Sequence, residues 1–594
     1  MVISLASIVN LNQPGQYFHW SIFTISVANL IIIAVMMAIF GLALLIPFPN
    51  HDELSNNDDP IKPALNLSSS MDSQDSKLWT AKLRNRVLRI LPLNKLLPDR
   101  QPAYVASWIY VFGVATLAAF ILVIISGVGL AIGGPDWWHI NIIGHFINSV
   151  HLWSVEIFMA FLVIHLWGKF WMAAWRGKRA MTWITGVVAF VASVTECFTG
   201  YLSQQNFDSQ WIATNGKDAI NSIGLGTFFN LMNFGQMLMW HIVLIPIVLV
   251  ALIGAHVLLV RVHGVVQPIQ KKTANNKDII KASEAKDWTG PTVRYDILKE
   301  GAIATVVVFG LVIGLAVLLS SPDKPPVTIA SWANIAPADF MATATSELAG
   351  SSETATYGPP YNHQTAKVQT IGLSWQLLVG VHQPINSAQI FVLSPLSKLA
   401  STDSTLANAI LAYQTANIAQ QRAWTDAYTK ALFRAPFVNG VPKLSKVQAG
   451  PVPVLIRTEL TLAQSGAIDT DLLAQQPFYG TNYTKPLLFL EDGNYFSSLA
   501  QKNHLIGTQW GVMNETGSYP GQPWLWLYTL WYQVPGFSSS TNVDLIAIYM
   551  TGLSTLILLA TPFIPGLRDV PELIPIHKLI WRKDYLAKIK SDHF

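Results

Sequence analysis

Apolar runs of about twenty residues or more recur along this chain, broken by shorter polar stretches, and each is long enough to cross a bilayer's hydrocarbon core as a helix. The pattern predicts seven spanning helices, near 20–48, 104–132, 148–174, 182–203, 236–262, 300–321 and 542–565. Residues 49–76 are polar and poor in aromatics, which predicts a flexible linker. The stretch 322–541 is large enough for a folded domain of its own. Its 401–434 part has a helical pattern, and the pieces "YGPPYNHQ" (357–364) and "WGVMNETGSYPGQPW" (510–524) have the composition of loops. Residues 517–537 are dense in Trp and Tyr just before the last span, which suits the headgroup level of a membrane.

Composition agrees with the pattern. Mean hydropathy is +0.37 and only 12% of residues are charged, against about a quarter in soluble proteins. The few charges are sorted by side. The stretches 49–103, 176–179 ("RGKR"), 263–299 and the tail after 565 are basic, whereas 133–147 has no Lys or Arg and 204–235 has only Lys217. By the positive-inside rule the basic stretches are cytoplasmic. The N-terminus and 322–541 then lie outside the cytoplasm, the C-terminus inside, in a multi-pass protein of the plasma (inner) membrane. The N-terminus has no basic region before an apolar core and does not read as a cleaved signal. The single cysteine, Cys197, excludes a disulfide framework, a Cys-based zinc or iron–sulfur site and C-x-x-C-H haem attachment within the chain. No nucleic-acid partner is expected.

Four histidines in the apolar segments carry the chemistry. "HLWSVEIFMAFLVIH" places His151 and His165 fourteen apart, and "HIVLIPIVLVALIGAH" places His241 and His256 fifteen apart. Fourteen helical residues rise about 21 Å and return to within about 40° of the starting direction, and fifteen overshoot by about 60°. Each helix therefore presents two imidazoles on roughly one face, one towards each side of the membrane. Both helices run in the same direction, so His151 matches His241 in depth and His165 matches His256. A lone histidine in a span is ordinarily a polar group bonded to a neighbouring helix. Four at matched depths form two stacked pairs, and two axial imidazoles without a sulfur ligand are the arrangement for a six-coordinate haem b. Gly113 and Gly127, and Gly186 and Gly200, are also fourteen apart on the two remaining helices. Helix-packing seams use a spacing of four. The longer spacing predicts one close backbone approach at each haem level.

These segments resemble the haem-bearing four-helix half of cytochrome b in quinol:cytochrome c reductase (cytochrome bc) complexes. The resemblance covers residues 104–262 and rests on "WIYVFG" to "SG", His151 and His165, "WITG" to "TGY", and His241 and His256. It implies an all-α transmembrane fold, with a four-helix dihaem bundle, about three extra spans and a large extracytoplasmic domain. The chain divides accordingly into an N-terminal span (1–48), a cytoplasmic linker (49–103), the dihaem domain (104–262), a cytoplasmic loop (263–299), a span (300–321), the extracytoplasmic domain (322–541), a span (542–565) and a cytoplasmic tail (566–594). His151 and His241 would hold the outer haem iron, and His165 and His256 the inner. The implied cofactors are two haem b and quinone/quinol. The implied partners are a Rieske-type iron–sulfur subunit and a c-type cytochrome subunit, within a larger complex containing a homodimer of this chain in the membrane lipid. Three departures stand out. Asn148 occupies a position where the family usually has arginine. Ser203, Gln204 and Gln205 follow "GY" in place of Pro-Trp-Gly-Gln. The quinol-oxidation motif Pro-Glu-Trp-Tyr has no counterpart, since "PEL" (571–573) falls on the cytoplasmic side. A separate subunit would then complete the quinol site.

The implied function is a dihaem cytochrome b subunit of a quinol-oxidising bc-type complex, carrying electrons between two b haems and quinone sites with proton translocation. The alternative is a membrane anchor passing electrons between quinone and an external oxidoreductase without bifurcation. Glu196, four residues before Gly200, is a candidate acceptor for a quinol proton, weighed against a structural carboxyl. Lys169, four residues after His165, is a candidate for an inner-haem propionate or quinone reduction, weighed against a snorkelling lysine. Glu156 reads as a satisfied interior group, Arg176 and Arg179 as topology determinants, and His139 and His145 as surface residues of an outer loop.

Overall fold

The structure is a computed structural model. It describes residues 15–49, 97–269, 291–365, 368–438, 441–444, 447–473, 480–505, 516–521 and 525–591, with Val9, Leu11, Glu53, Leu54 and Arg86 as isolated positions. Most of the linker 49–103, the centre of the 263–299 loop and most of 510–524 lie outside the described residues.

Seven helices are long and apolar enough to span a membrane: Val27–Leu45, Trp108–Gly133, Ile142–Trp171, Ala180–Leu202, Phe234–His263, Ile297–Leu319 and Val543–Ala560. They are spans 1 to 7 below, and all seven sequence expectations have their helix. Spans 1, 3 and 6 start at side-chain caps. Ser26 accepts from the backbone N–H of Asn29, Asn141 from Ile143 and Gly144, and Asp296 from Leu298 and Lys299. Span 1 starts seven residues later than the apolar pattern predicts, because Tyr17–Trp20 and Phe23–Ser26 pair as an antiparallel hairpin before it. The all-α expectation is corrected to this extent: the molecule is mostly helical with three small sheets among the described residues.

Spans 2 and 3 pack as one antiparallel hairpin and spans 4 and 5 as another, with span 6 against spans 2 and 3 and span 7 against span 4. Polar ties gather the connections at the two ends. At one end, Arg179 is buried and donates to the carbonyl oxygens of His263 and Val265, Tyr104 donates to Val265 and Tyr110 to Val266. Trp581 Nε1 donates to the Tyr110 hydroxyl, and Thr292–Arg294 pairs with both Glu53–Leu54 and Arg100–Pro102. The basic stretches therefore share one face. At the other end, the connections after spans 2, 4 and 6 meet.

The stretch between spans 6 and 7 folds as short helices around a ring cluster of Trp332, Phe340, Phe391 and Phe489, the last two stacked at 5.0 Å. The helical pattern over 401–434 is two helices, Ser404–Thr415 and Ile418–Arg434, the second capped by Asn417. Of the described aromatics near 517–537, Tyr519 is buried and the rest are half-buried. The Tyr519 hydroxyl donates to the Leu319 carbonyl, and Tyr528 bonds Tyr532, which donates to Asp544. "YGPPYNHQ" holds two buried tyrosines, Tyr357 and Tyr361, and Tyr357 donates to Asp218. Lys217, in the helix Phe207–Ser222 after span 4, is buried. It pairs with Glu491 at 2.6 Å and Asp218 at 3.1 Å, tying this stretch to the bundle. Burial disfavours its charge, but the two carboxylates outweigh that and raise its pKa.

Candidate functional site

The two hairpins bring His151 and His241 into a pair, and His165 and His256 lie further along the same two helices. His151 and His241 face each other with ring centroids 6.3 Å apart and planes at 86°. Two imidazoles bonded to opposite sides of one metal at about 2 Å each would put their centroids about 6 Å apart. Among the described residues no three His, Cys, Asp or Glu side chains are grouped to hold a bare ion. A pair of imidazoles suits a metal whose other four positions come from a macrocycle.

Hydrogen bonds set the tautomers of the first pair. Ser126 donates its hydroxyl hydrogen to the Leu122 carbonyl, so its oxygen accepts from His151 Nδ1–H at 2.9 Å. His241 Nδ1–H donates to the Glu196 carbonyl at 3.1 Å and lies 3.2 Å from Glu196 Oε1. In both rings the proton is held on Nδ1, which leaves the Nε2 lone pair for a metal. The second pair is held less fully. His256 Nδ1 reaches Thr185 Oγ1 at 3.3 Å, and His165 Nδ1 is buried with no hydrogen-bond partner among the described residues.

The four glycines sit under the four rings. A Cβ at Gly127 would lie 3.1 Å from His151 Cε1, at Gly113 3.0 Å from His165, at Gly186 2.9 Å from His256 and at Gly200 2.4 Å from His241. The fourteen-residue glycine spacing thus follows from the histidine spacing. Each glycine admits the imidazole of its own hairpin partner helix, where the sequence reading had expected it to admit the macrocycle.

One more residue separates His241 and His256 than His151 and His165. Span 5 absorbs it in a π-helical turn at Trp240–Leu244, directly before Pro246. Proline has no N–H and its ring clashes with the carbonyl four residues back, and a wider i→i+5 turn takes in one extra residue at such a break. The overshoot expected from an ideal helix is removed.

The remaining candidates are placed as follows. Glu196 lies against His241, and its Oε2 is buried without a partner. Lys169 is half-buried, its Nζ 4.7 Å from the Tyr110 ring centroid and 3.8 Å from Met172 Sδ, at the end of the bundle where the basic stretches lie. Glu156 is buried, and its Oε1 has no hydrogen-bond partner among the described residues. His139 and His145 are not surface loop residues. His139 bonds Asp323 through Nδ1 and the Gln204 carbonyl through Nε2, both at 2.8 Å. His145 lies within span 3 and bonds Ser320 at 3.0 Å, next to Ser149–Ser321 and Trp153–Ser320. Together they staple the end of span 6 to span 3 beside His151. Burial opposes charge on His139, but the Asp323 carboxylate and the Gln204 carbonyl outweigh it and raise its pKa. Sequence reasoning missed this clamp because its partners lie 65 to 184 residues away.

Residues 156–326 match the family model "Cytochrome b(N-terminal)/b6/petB", a stretch that takes in His165, Gly186, Glu196, Gly200, His241 and His256 and begins just after His151. The chain is similar to cytochrome b6 of Heliobacterium modesticaldum, 25% identical over 190 residues, which covers 28% of this chain and 89% of the relative. It is similar to the menaquinol:cytochrome c reductase cytochrome b subunit of Geobacillus thermodenitrificans, 24% identical over 31% of this chain and 95% of the relative. A cytochrome bc complex cytochrome b subunit of Chlorobaculum thiosulfatiphilum is 28% identical over 30% of this chain and 41% of its own length. Among solved structures, a hyperthermophilic respiratory Complex III chain aligns at 15% identity and a TM-score of 0.31, covering 67% of this chain and 98% of that one. The likeness of the histidine-bearing segment to cytochrome b of bc complexes is shown by the family model and the sequence relatives, and such a segment implies haem b.

Proposed function

We propose that this chain is the dihaem cytochrome b subunit of a quinol-oxidising bc-type respiratory complex. One observation carries the reading: His151 and His241 face each other at 6.3 Å from two separate hairpins, with the proton of each ring held on Nδ1. His151 and His241 would hold one haem b, and His165 and His256 a second. When bound, each group would supply a one-electron carrier. Ser126 and the Glu196 carbonyl would keep Nε2 available, the four glycines would admit the rings, and the apolar walls of spans 2 to 5 would exclude water.

The basic face is assigned to the cytoplasm. Electrons would then pass from quinol at the His151–His241 side to quinone at the His165–His256 side, with proton release outside and uptake inside. Glu196, whose Oε2 is unpartnered, is proposed to take a quinol proton, and Lys169 to serve quinone on the other side. The iron–sulfur centre and the c-type haem would sit on a Rieske-type and a cytochrome subunit, in a complex built around a homodimer. The relatives' names, a menaquinol:cytochrome c reductase subunit among them, support an oxidoreductase subunit and do not favour the membrane-anchor alternative.

Purification of the intact complex and a pyridine haemochrome assay test the proposal. Two b haems per chain and a co-purifying Rieske-type subunit are expected. A chain that carries no b haem when purified from its own membranes ends it.

A further inference from the structure

The stretch after the cis Pro359–Pro360 bond returns to the membrane-spanning part of the molecule. Gln369 Nε2 donates to Asp544, Thr370 N–H to the Asn542 side chain, and Leu545 N–H to Gln369 Oε1, which fixes residues 369–370 at the mouth of span 7. Five residues on, Trp375 Nε1 donates to the Tyr549 hydroxyl at 2.7 Å. Tyr549 is five residues past Asp544, about 7 Å further along the helix. Between the two ties the chain turns at Gly372 (φ +76°), with Ile371 and Leu373 bridged. The backbone thus descends alongside span 7, from the level of its polar first turn to an apolar level, and forms the short helix Trp375–Val379 there.

The outward side of this descent is aliphatic. Leu373 is 65% and Leu378 72% exposed, with Ile371 and Leu377 beside them. No residue from 371 to 381 is charged. The one polar side chain within the short helix, Gln376, is buried and donates to the Pro359 carbonyl. Gly224 packs against Trp375 and Val379, which brings the exposed Leu225 and Phe228 of the connection before span 5 to the same surface. This surface continues into the exposed Leu553 and Leu556 of span 7.

We propose that residues 371–379 are a membrane-embedded dip, whose Ile371, Leu373, Leu377 and Leu378 contact lipid acyl chains together with Leu225 and Phe228. Contiguous exposed apolar surface marks an interaction site. Lipid is the occupant favoured here, because the ties to Asp544 and Tyr549 place the patch alongside the apolar length of a span and no residue from 371 to 381 is charged. Trp375, with an apolar body and one N–H donor, suits the boundary level it occupies. The inference concerns the stretch between spans 6 and 7 and does not depend on the haem reading.

Site-directed spin labelling tests it. In full-length protein with Cys197→Ser, a nitroxide is placed by Leu378→Cys, by Leu556→Cys on span 7, or by Lys430→Cys on the helix Ile418–Arg434. Each protein is reconstituted into phosphatidylcholine nanodiscs, and collisions with oxygen and with a water-soluble nickel chelate are compared. The oxygen-to-nickel ratio at Leu378 is expected to match Leu556 and exceed Lys430 severalfold. A ratio equal to that at Lys430 overturns the proposal, and so does shielding from both reagents, which would mean protein covers the patch. A second measurement needs only a conservative change. Acyl-brominated lipid should quench the unlabelled protein more than its Trp375→Phe variant, and equal quenching overturns the proposal as well.

Discussion

The two histidine pairs share one plan but differ in how firmly the protein holds them. At the first pair, Ser126 and the Glu196 carbonyl take the Nδ1 protons of His151 and His241, and the rings already stand face to edge at 6.3 Å. At the second, His165 Nδ1 has no hydrogen-bond partner among the described residues, while His256 is held by the Thr182 carbonyl and a long contact to Thr185. A ligand whose outer nitrogen is bonded is pre-oriented for a metal. An unbonded one must be oriented by the metal group itself. The first pair is thus a site prepared by the protein, and the second depends more on what it binds.

Removing a ligand breaks the comparison outright. His151→Ala and His241→Ala are each expected to lower the haem content of the purified chain from two to one, with the remaining signal belonging to His165 and His256. Retention of both haems in either variant would refute the pairing. Crowding a ring comes next. Gly200→Ala sets a Cβ 2.4 Å from His241, against 3.1 Å from His151 for Gly127→Ala. Overpacking of this kind costs about 1–3 kcal/mol, so Gly200→Ala should lose haem at the first pair more readily than Gly127→Ala does. Haem loss on mild heating, followed by absorbance, ranks them, and a reversed order would contradict the ring positions.

How much of this was legible in the sequence depends on how local each feature is. The seven spans and the histidine and glycine spacings follow from helix periodicity, which repeats within a single segment. The π-helical turn around His241 was not read, although Pro246 was visible, because a proline breaks a helix without announcing how the break is absorbed. The glycines were found from their spacing, but the rings they sit under were not. Their spacing is periodic, but the group they admit sits on another helix. The roles of His139 and His145 were missed altogether, since nothing near them in sequence points to Asp323 or Ser320. Glu196 was singled out for its position along span 4, whereas its contact with His241 is a matter of how the two helices pack.

The difference in support between the pairs can be sharpened with smaller changes. Ser126→Ala removes the hydroxyl beside His151 Nδ1 and leaves the Val123 carbonyl as the remaining acceptor for that ring. Loss of such a supporting bond typically weakens metal affinity about 10–100-fold. Thr185→Val removes a contact that is already 3.3 Å long and should cost clearly less. Haem-retention titrations of the two variants compare them directly. Equal losses would mean that the second pair is as firmly prepared as the first.

The smallest expected effect is a pH dependence confined to the surroundings of the first pair. The His139–Asp323 bond staples the end of span 6 near His145, Ser149 and Trp153, on the helix that carries His151. Its histidine has a raised pKa in the folded protein. The contribution is therefore fully present below the unfolded value of about 6.5 and is lost as pH rises through the folded value. Thermal unfolding of the intact protein should show a modest loss of stability over that rise, and Asp323→Asn should flatten it. His145 and Asp136 lie close enough to feel the same charge, so His145→Gln and Asp136→Asn measure how much of the slope belongs to them, and the larger change is expected from Asp323→Asn. A slope unchanged by Asp323→Asn would assign the pH response to other groups and leave the clamp as a purely neutral hydrogen bond.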